Sequence, residues 1–256
     1  MAGQGSIIAC RVSSYEPFAA RAYEHIAALG LRHVEIPVPA AEALDAVAAE
    51  LRKFGLAASS LHGECDLSRP DLDKRLAEQM PAFAALDCKL MFTSVRRGEI
   101  PADTAYGRLR LAGEVAGEHG VTLALETHPD LVTNADVALQ TLRAVDHPQV
   151  RLNFDTANVY FYNREVDCVE QLRKVVRYVA AVHLKDTDGG YRHWHFPALG
   201  AGIVHFAQVF EVLDEAGFRG PCTLEIEGIQ GEEKSERLVR DRVAASVNYL
   251  RKLDRI

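Results

Sequence analysis

Eight times along this chain a short apolar run is followed by a longer amphipathic one, and that alternation restricts the fold more than any other feature. The apolar runs are Ile7 to Val12, Leu31 to Ile36, Leu56 to Leu61, Lys89 to Ser94, Val121 to Glu126, Val150 to Asp155, Val179 to Leu184 and Cys222 to Ile226. The intervening stretches read as helices. They run from about Glu16 to Leu29, through an alanine-rich segment to Phe54, to about Leu86, and from Ala102 to His119. In the second half they run from an Asn134 cap to about Val145, from about Val166 to Arg177, from Ile203 to Ala216 and from Glu232 to Leu253. Eight strand-helix units in 256 residues indicate a (β/α)8 barrel more readily than an open sheet. An open doubly wound sheet would usually carry a Gly-rich phosphate loop after its first strand, and Cys10-Arg11-Val12-Ser13-Ser14 is not one. No linker or shift of composition interrupts the series, so residues 1–256 read as a single domain.

Several of the apolar runs stop abruptly at polar residues. The seventh is followed by His183, Lys185 and Asp186, the fifth closes on Glu126, the sixth on Asp155, and the eighth carries Glu225 and Glu227. At the carboxyl ends of barrel strands such residues converge on one mouth. Glu126, Asp155, His183 and Glu225, from strands five to eight, then form a mostly hard-oxygen set suited to one divalent ion, Mn²⁺, Mg²⁺ or Co²⁺, with Zn²⁺ as the softer alternative. Bringing these carboxylates together without a cation would be costly, because like charges disfavour joint ionisation. Taken singly, each has a plainer account: a strand-end Glu pairs with an Arg, and an Asp before Thr caps a turn. The joint pattern carries the metal reading. Glu225 and Glu227 lie two apart on one face, so the pattern leaves the choice between them open.

Composition narrows the partners. Formal net charge is −7 and no run of like charge forms a basic patch, which argues against nucleic acid. Five cysteines, odd in number and far apart, read as reduced thiols of a cytoplasmic protein. The start, Met-Ala-Gly-Gln-Gly-Ser, lacks the features of a signal peptide, and no apolar stretch approaches a membrane span. Apolar outer helices are compatible with a homo-oligomer, although none declares an interface.

At this point the sequence resembles the xylose isomerase-like TIM-barrel superfamily of sugar and sugar-phosphate isomerases and epimerases. That group includes ketose 3-epimerases, hydroxypyruvate isomerase, inosose dehydratase and endonuclease IV. The resemblance covers nearly the whole chain. It is strongest in Leu125-Glu126-Thr127-His128, Asn153-Phe154-Asp155-Thr156-Ala157-Asn158, Val182-His183-Leu184-Lys185-Asp186, Pro197-Ala198-Leu199-Gly200 and Gly217-Phe218-Arg219-Gly220. It implies a single TIM-barrel domain with Glu126, Asp155, His183 and Glu225 as metal ligands, the last placed by counting from Gly217-Phe218-Arg219-Gly220. Two departures stand out. Asn158 occupies the place where many members have a histidine, and Leu199-Gly200-Ala201-Gly202 replaces a Leu-Gly-Glu-Gly turn.

The resemblance further implies that Glu126 and Glu225 act as acid/base groups on opposite faces of a small carbohydrate, through a metal-stabilised enediolate. Epimerase and isomerase outcomes follow from where the proton returns. The alternative is a dehydratase or lyase acting on a keto-inositol or 3-keto-glycoside; an abasic-site endonuclease and a non-catalytic sugar-binding barrel rank below it. Residues expected to meet substrate are His62, Glu35, His128, Asn158, Lys185, Asp186, Arg192 and His195. Pairing with Arg11 is the quieter account of Glu35; a hydrogen bond that orients His183 is a further reading of Lys185 and Asp186, and a salt-bridged loop start is their plain one. The loop Tyr191 to Phe196, with the only tryptophan, is placed to act as a lid.

Overall fold

The computed structural model describes residues 6–256, so residues 1–5, on which most of the leader reading falls, lie outside the described residues. Eight parallel strands close into a barrel: β1 Ile7–Arg11, β2 His33–Pro37, β3 Ala57–His62, β4 Leu90–Thr93, β5 Thr122–Glu126, β6 Val150–Asp155, β7 Val179–Leu184 and β8 Pro221–Leu224. Closure is made by β8 on β1, where Ile8 faces Cys222 and Ala9 faces Thr223. Alternation along each strand divides the core into two layers. Leu123, Leu125, Leu152, Phe154, Val182, Leu184 and Leu224 belong to the large apolar cluster shared with the helices. Leu90, Ala124 and Ala181 form a separate small cluster. Ala124 and Ala181 lie two residues before Glu126 and His183, so this inner cluster is the floor beneath the mouth.

Helices cover the outside of the barrel, among them Leu44–Phe54, Ala102–Glu118, Ala135–Val145, Cys168–Val175, Phe206–Glu215 and Glu236–Lys252. Their ends follow local chemistry. Gly55, at φ 64°, closes the second-unit helix in a left-handed cap, and Asn134, Asp167 and Ser235 each accept a backbone N–H at the start of theirs. Proline shortens others. The expected helix from Glu16 is reduced to Ala22–Ala28 after an extended Glu16 and Pro17, and the stretch before Leu86 is split into Leu72–Ala77 and Met80–Ala85, with Pro81 in the first turn of the latter. Two elements add to the expected pattern: a helix Asn158–Tyr162, and a two-stranded antiparallel ribbon of His195–Phe196 with Gly228–Ile229. Among the described residues no helix is long and apolar enough to cross a membrane.

Candidate active site

The carboxyl ends of β5, β6 and β7 and the residue after β8 bring Glu126, Asp155, His183 and Glu225 together, all buried, with one donor atom of each within 4.8 Å of the others. His183 is the hub. Its Nδ1 lies 2.9 Å from Glu126 Oε1 and 3.1 Å from Glu225 Oε2, while its Nε2 faces Glu35 Oε1 at 3.1 Å. Burial alone would lower the imidazole pKa, but Glu35, Glu225 and Glu126 outweigh it and hold it well above its ordinary value. Glu35 is thereby placed behind the ring, where it also accepts from Ser60 Oγ at 2.6 Å and lies 3.8 Å from Arg11 Nε. The Arg11 pairing expected from the sequence is present together with the contact to His183.

Glu126 is held from its other side by Ser94 Oγ, and His128 Nδ1 lies 3.0 Å from its Oε2. Burial raises its pKa, and the contacts from His128 and His183 more than reverse this, so the carboxylate stays below the usual range. Glu225 is likewise held low: Lys185, Arg11 and His183 overcome its burial. Asp155 differs. Its Oδ1 accepts the backbone N–H groups of Ala157 at 2.8 Å and Asn158 at 2.7 Å, whereas Oδ2 is buried with no hydrogen-bond partner. Burial pushes this carboxyl up to about 7 against the pull of Lys185, with Glu225 and Glu126 adding to the rise.

Lys185 spans the cluster from the rim. Its Nζ lies 3.4 Å from Glu225 Oε2, 3.8 Å from Asp155 Oδ2 and 3.3 Å from Asn158 Oδ1, it pairs closely with Glu227, and it sits 4.4 Å from the centre of the Phe196 ring. Glu225, rather than Glu227, therefore joins the buried set, and Glu227 stands at the edge. Asn158 holds Lys185 from one side and donates to the Thr127 carbonyl at 3.2 Å. Asp186 turns the other way and accepts four backbone N–H groups, from Thr187, Gly200, Gly202 and Val204, at 2.8 to 3.1 Å. It organises the loop between β7 and Phe206–Glu215.

Above the cluster is a cavity of about 140 Å³ walled by Phe161, Tyr162, Trp194 and Phe196, with Arg11, His128 and Lys185 among its polar lining. Through Ser94 it adjoins a larger cavity of about 480 Å³ lined by His62, Cys65, Asp66, Thr93 and Arg96. His62 stacks on Phe92 at 4.3 Å, and burial lowers its pKa. Arg192, exposed and stacked over Tyr191, and half-buried His195 are not among the lining residues of either cavity. Ser94 was missed in the sequence. Its signal was of the same kind as for the four clustered residues, a polar residue at the end of an apolar strand.

The donor set fits a divalent cation. Three carboxylates and one imidazole each bring a donor atom within 4.8 Å of the others, and one buried oxygen among them, Asp155 Oδ2, has no hydrogen-bond partner. Fold and site together define a (β/α)8 barrel with an acid-imidazole centre at the carboxyl rim of its strands. The chain belongs to the xylose isomerase-like TIM barrel family, whose model matches residues 23–253. It is 29% identical over 137 residues to the L-ribulose-5-phosphate 3-epimerase UlaE of Shigella boydii, covering 52% of this chain and 46% of that protein. It is 28% identical over 140 residues to the inosose dehydratase of Erwinia tasmaniensis, covering 48% and 47%. The chain thus spans about half the length of the curated relatives it matches. The solved D-psicose 3-epimerase of Clostridium cellulolyticum H10, with D-tagatose, superposes with a TM-score of 0.77 at 15% identity over 96% of this chain and 98% of that one, a shared fold.

Proposed function

We propose that this chain is a divalent-metal-dependent isomerase or epimerase of a small ketose or keto-cyclitol, with Glu126, Asp155, His183 and Glu225 holding the ion. The observation that carries this reading is the buried four-residue cluster with its unpartnered Asp155 Oδ2. When bound, a divalent cation supplies Lewis-acid polarisation of the substrate carbonyl. The chain's own residues move the proton. Glu126, at the end of β5, and Glu225, just past β8, flank His183, so one carboxylate takes the proton beside the carbonyl and the other returns one. Return to the opposite face of the same carbon inverts it; return to the neighbouring carbon moves the carbonyl. Ser94 and His128 orient Glu126, and Arg11 and Lys185 orient Glu225; the one that takes the proton enters as the carboxylate and the one that returns a proton enters as the acid. The aromatic wall of Phe161, Trp194 and Phe196 suits the apolar face of a sugar and limits water.

Loss of a β-hydroxyl after the same deprotonation is the second reading, favoured by the likeness to an inosose dehydratase. Deuterium uptake from solvent separates the readings. Metal-loaded protein is incubated in deuterated buffer with ketoses, sugar phosphates and keto-cyclitols, and label and products are followed by NMR. The proposed reading expects exchange at a carbon beside the carbonyl without loss of water, abolished in Glu126→Gln and Glu225→Gln. A dehydrated product would transfer the assignment to the lyase. Absence of exchange with every substrate, in protein whose elemental analysis shows a full complement of ion, would overturn both.

A further inference from the structure

A second group of donors lies outside the buried centre, on the loop between β7 and Phe206–Glu215. Asp188, His193 and His195 each place one donor atom within 4.8 Å of the others. Asp188 Oδ2 meets His193 Nδ1 at 2.6 Å, and the His193 and His195 rings stack with centroids 5.7 Å apart and planes 28° from parallel. We propose that these three residues form a separate metal site for a borderline divalent ion, Zn²⁺, Ni²⁺ or Cu²⁺, and that its occupancy clamps the segment 188–196 over the mouth of the barrel.

Backbone pairing explains the arrangement. His195 opposes Ile229 in the ribbon, the His193 N–H bonds the Gly190 carbonyl at 3.1 Å and the His195 N–H bonds the His193 carbonyl at 2.9 Å, so a tight turn brings the two histidines together. Trp194, between them, lines the two cavities that Glu225 also lines, and neither histidine does. The segment is pinned near its middle, by the Arg192 N–H on the Phe161 carbonyl and the Gln230 N–H on the Trp194 carbonyl, each at 2.9 Å. Asp188 is aimed by the Gly190 N–H on its Oδ1 at 3.0 Å. A Cβ on Gly190 would meet His193 Cβ at 2.6 Å and Asp188 Oδ1 at 3.1 Å, so the glycine keeps the cradle open.

An exposed Asp-His pair needs only one imidazole and adds little to stability. The second, aligned ring adds a nitrogen donor. Two imidazoles and one carboxylate, with room for water, suit Zn²⁺, Cu²⁺ or Ni²⁺, whereas the buried centre, with three oxygens to one nitrogen, suits harder ions. The two sites differ in preference and do not share a ligand.

Trp194 is the only tryptophan and sits between the two histidines, which makes its fluorescence a local reporter. The full chain, freed of metal with chelator, is titrated with Cu²⁺ and separately with Ni²⁺. Saturable quenching is expected in the wild type and in Asp155→Asn, whose buried centre is impaired. In His193→Gln and in His195→Gln the ion should bind about tenfold more weakly or worse, the least that even an outer partner's loss costs. The His193 side chain is 54% exposed and His195 is half-buried at the surface ribbon, so neither change enters the core. Quenching unchanged in both histidine variants, or lost in Asp155→Asn, overturns the site. Zn²⁺ should also slow hydrogen exchange of amides 188–196 in the wild type but not in His193→Gln; equal exchange with and without Zn²⁺ overturns the clamp.

Discussion

His183 presents a different carboxylate environment to each of its two ring nitrogens. Nδ1 faces Glu126 and Glu225 inside the proposed centre, and Nε2 faces Glu35 behind it. A carboxylate on the far nitrogen fixes ring orientation and raises basicity. Glu35→Gln is therefore expected to weaken Mn²⁺ binding by about ten- to a hundredfold with the fold intact, measured by calorimetric titration beside circular dichroism. Unchanged affinity would show that the far nitrogen does not matter. The four residues of the cluster were legible in the sequence because each lies at or just past the end of a run of buried strand. The contact of Glu35 with His183 was not, since β2 and β3 shift register between Val34 and Glu35, and such a shift re-aims a side chain in a way no local pattern records. Glu225 and Glu227 could not be separated for a related reason. Alternation holds only within a strand, β8 ends at Leu224, and the Ile226 N–H turns to Ser14 Oγ at 2.9 Å.

Among the elements, β6 and β7 have the same limits in sequence and structure, Val150–Asp155 and Val179–Leu184, because runs buried on both faces are bounded by polar residues. The ribbon His195–Phe196 with Gly228–Ile229 was invisible because its partners are far apart in sequence and only two residues long. The loop it belongs to is built on Asp186 and close backbone approach. At Gly202 an added Cβ would collide with the Thr187 carbonyl and the Asp186 carboxylate. Gly202→Ala should destabilise the protein by about 1–3 kcal/mol, the cost of overpacking, with faster hydrogen exchange confined first to residues 186–204. A uniform change across the chain would place the strain elsewhere. The first βα connection carries a pH dependence. Tyr15 Oη and His25 Nδ1 lie 2.8 Å apart, and burial lowers the pKa of His25, as it does that of His33, from the ordinary 6.5. Above 6.5 neither folded nor unfolded chain protonates these rings, and their contribution is complete. As pH falls through 6.5 the unfolded chain takes up protons first, so stability declines. In urea unfolding between pH 8 and pH 5, as a rough working range, the wild type is expected to lose stability relative to His25→Phe as pH falls, because the raised pKa values of Asp155 and His183 shift both chains alike in the opposite direction; parallel curves would remove His25 from the account.

At the scale of the whole molecule, the barrel concentrates negative charge at one end. Glu35, Glu126, Asp155, Glu225 and Glu227 gather there against Arg11, Lys185 and the imidazoles of His183 and His128, above the apolar cluster of Leu90, Ala124 and Ala181. The folded state thus holds like charges close that the unfolded chain would separate, and a cation bound only by the folded state shifts the equilibrium toward it. At a free concentration of about a hundred times its Kd, an ion adds about 2.7 kcal/mol. For a chain of this size that corresponds to a rise of about 5 to 10 °C in Tm. Scanning calorimetry of chelator-treated protein with Mn²⁺, Mg²⁺, Co²⁺ or Zn²⁺ should show the rise for at least one ion and reverse it with excess chelator. Asp155→Asn should lose most of the response while keeping its metal-free transition near that of the wild type, because the substitution removes one of the crowded charges and the two backbone N–H groups on Oδ1 retain an amide oxygen as acceptor. A chain that melts at one temperature with and without every ion would leave these carboxylates balanced by Arg11, Lys185 and a charged His183 alone. The centre would then be a structural network, and proton transfer by Glu126 and Glu225 would lose its physical basis.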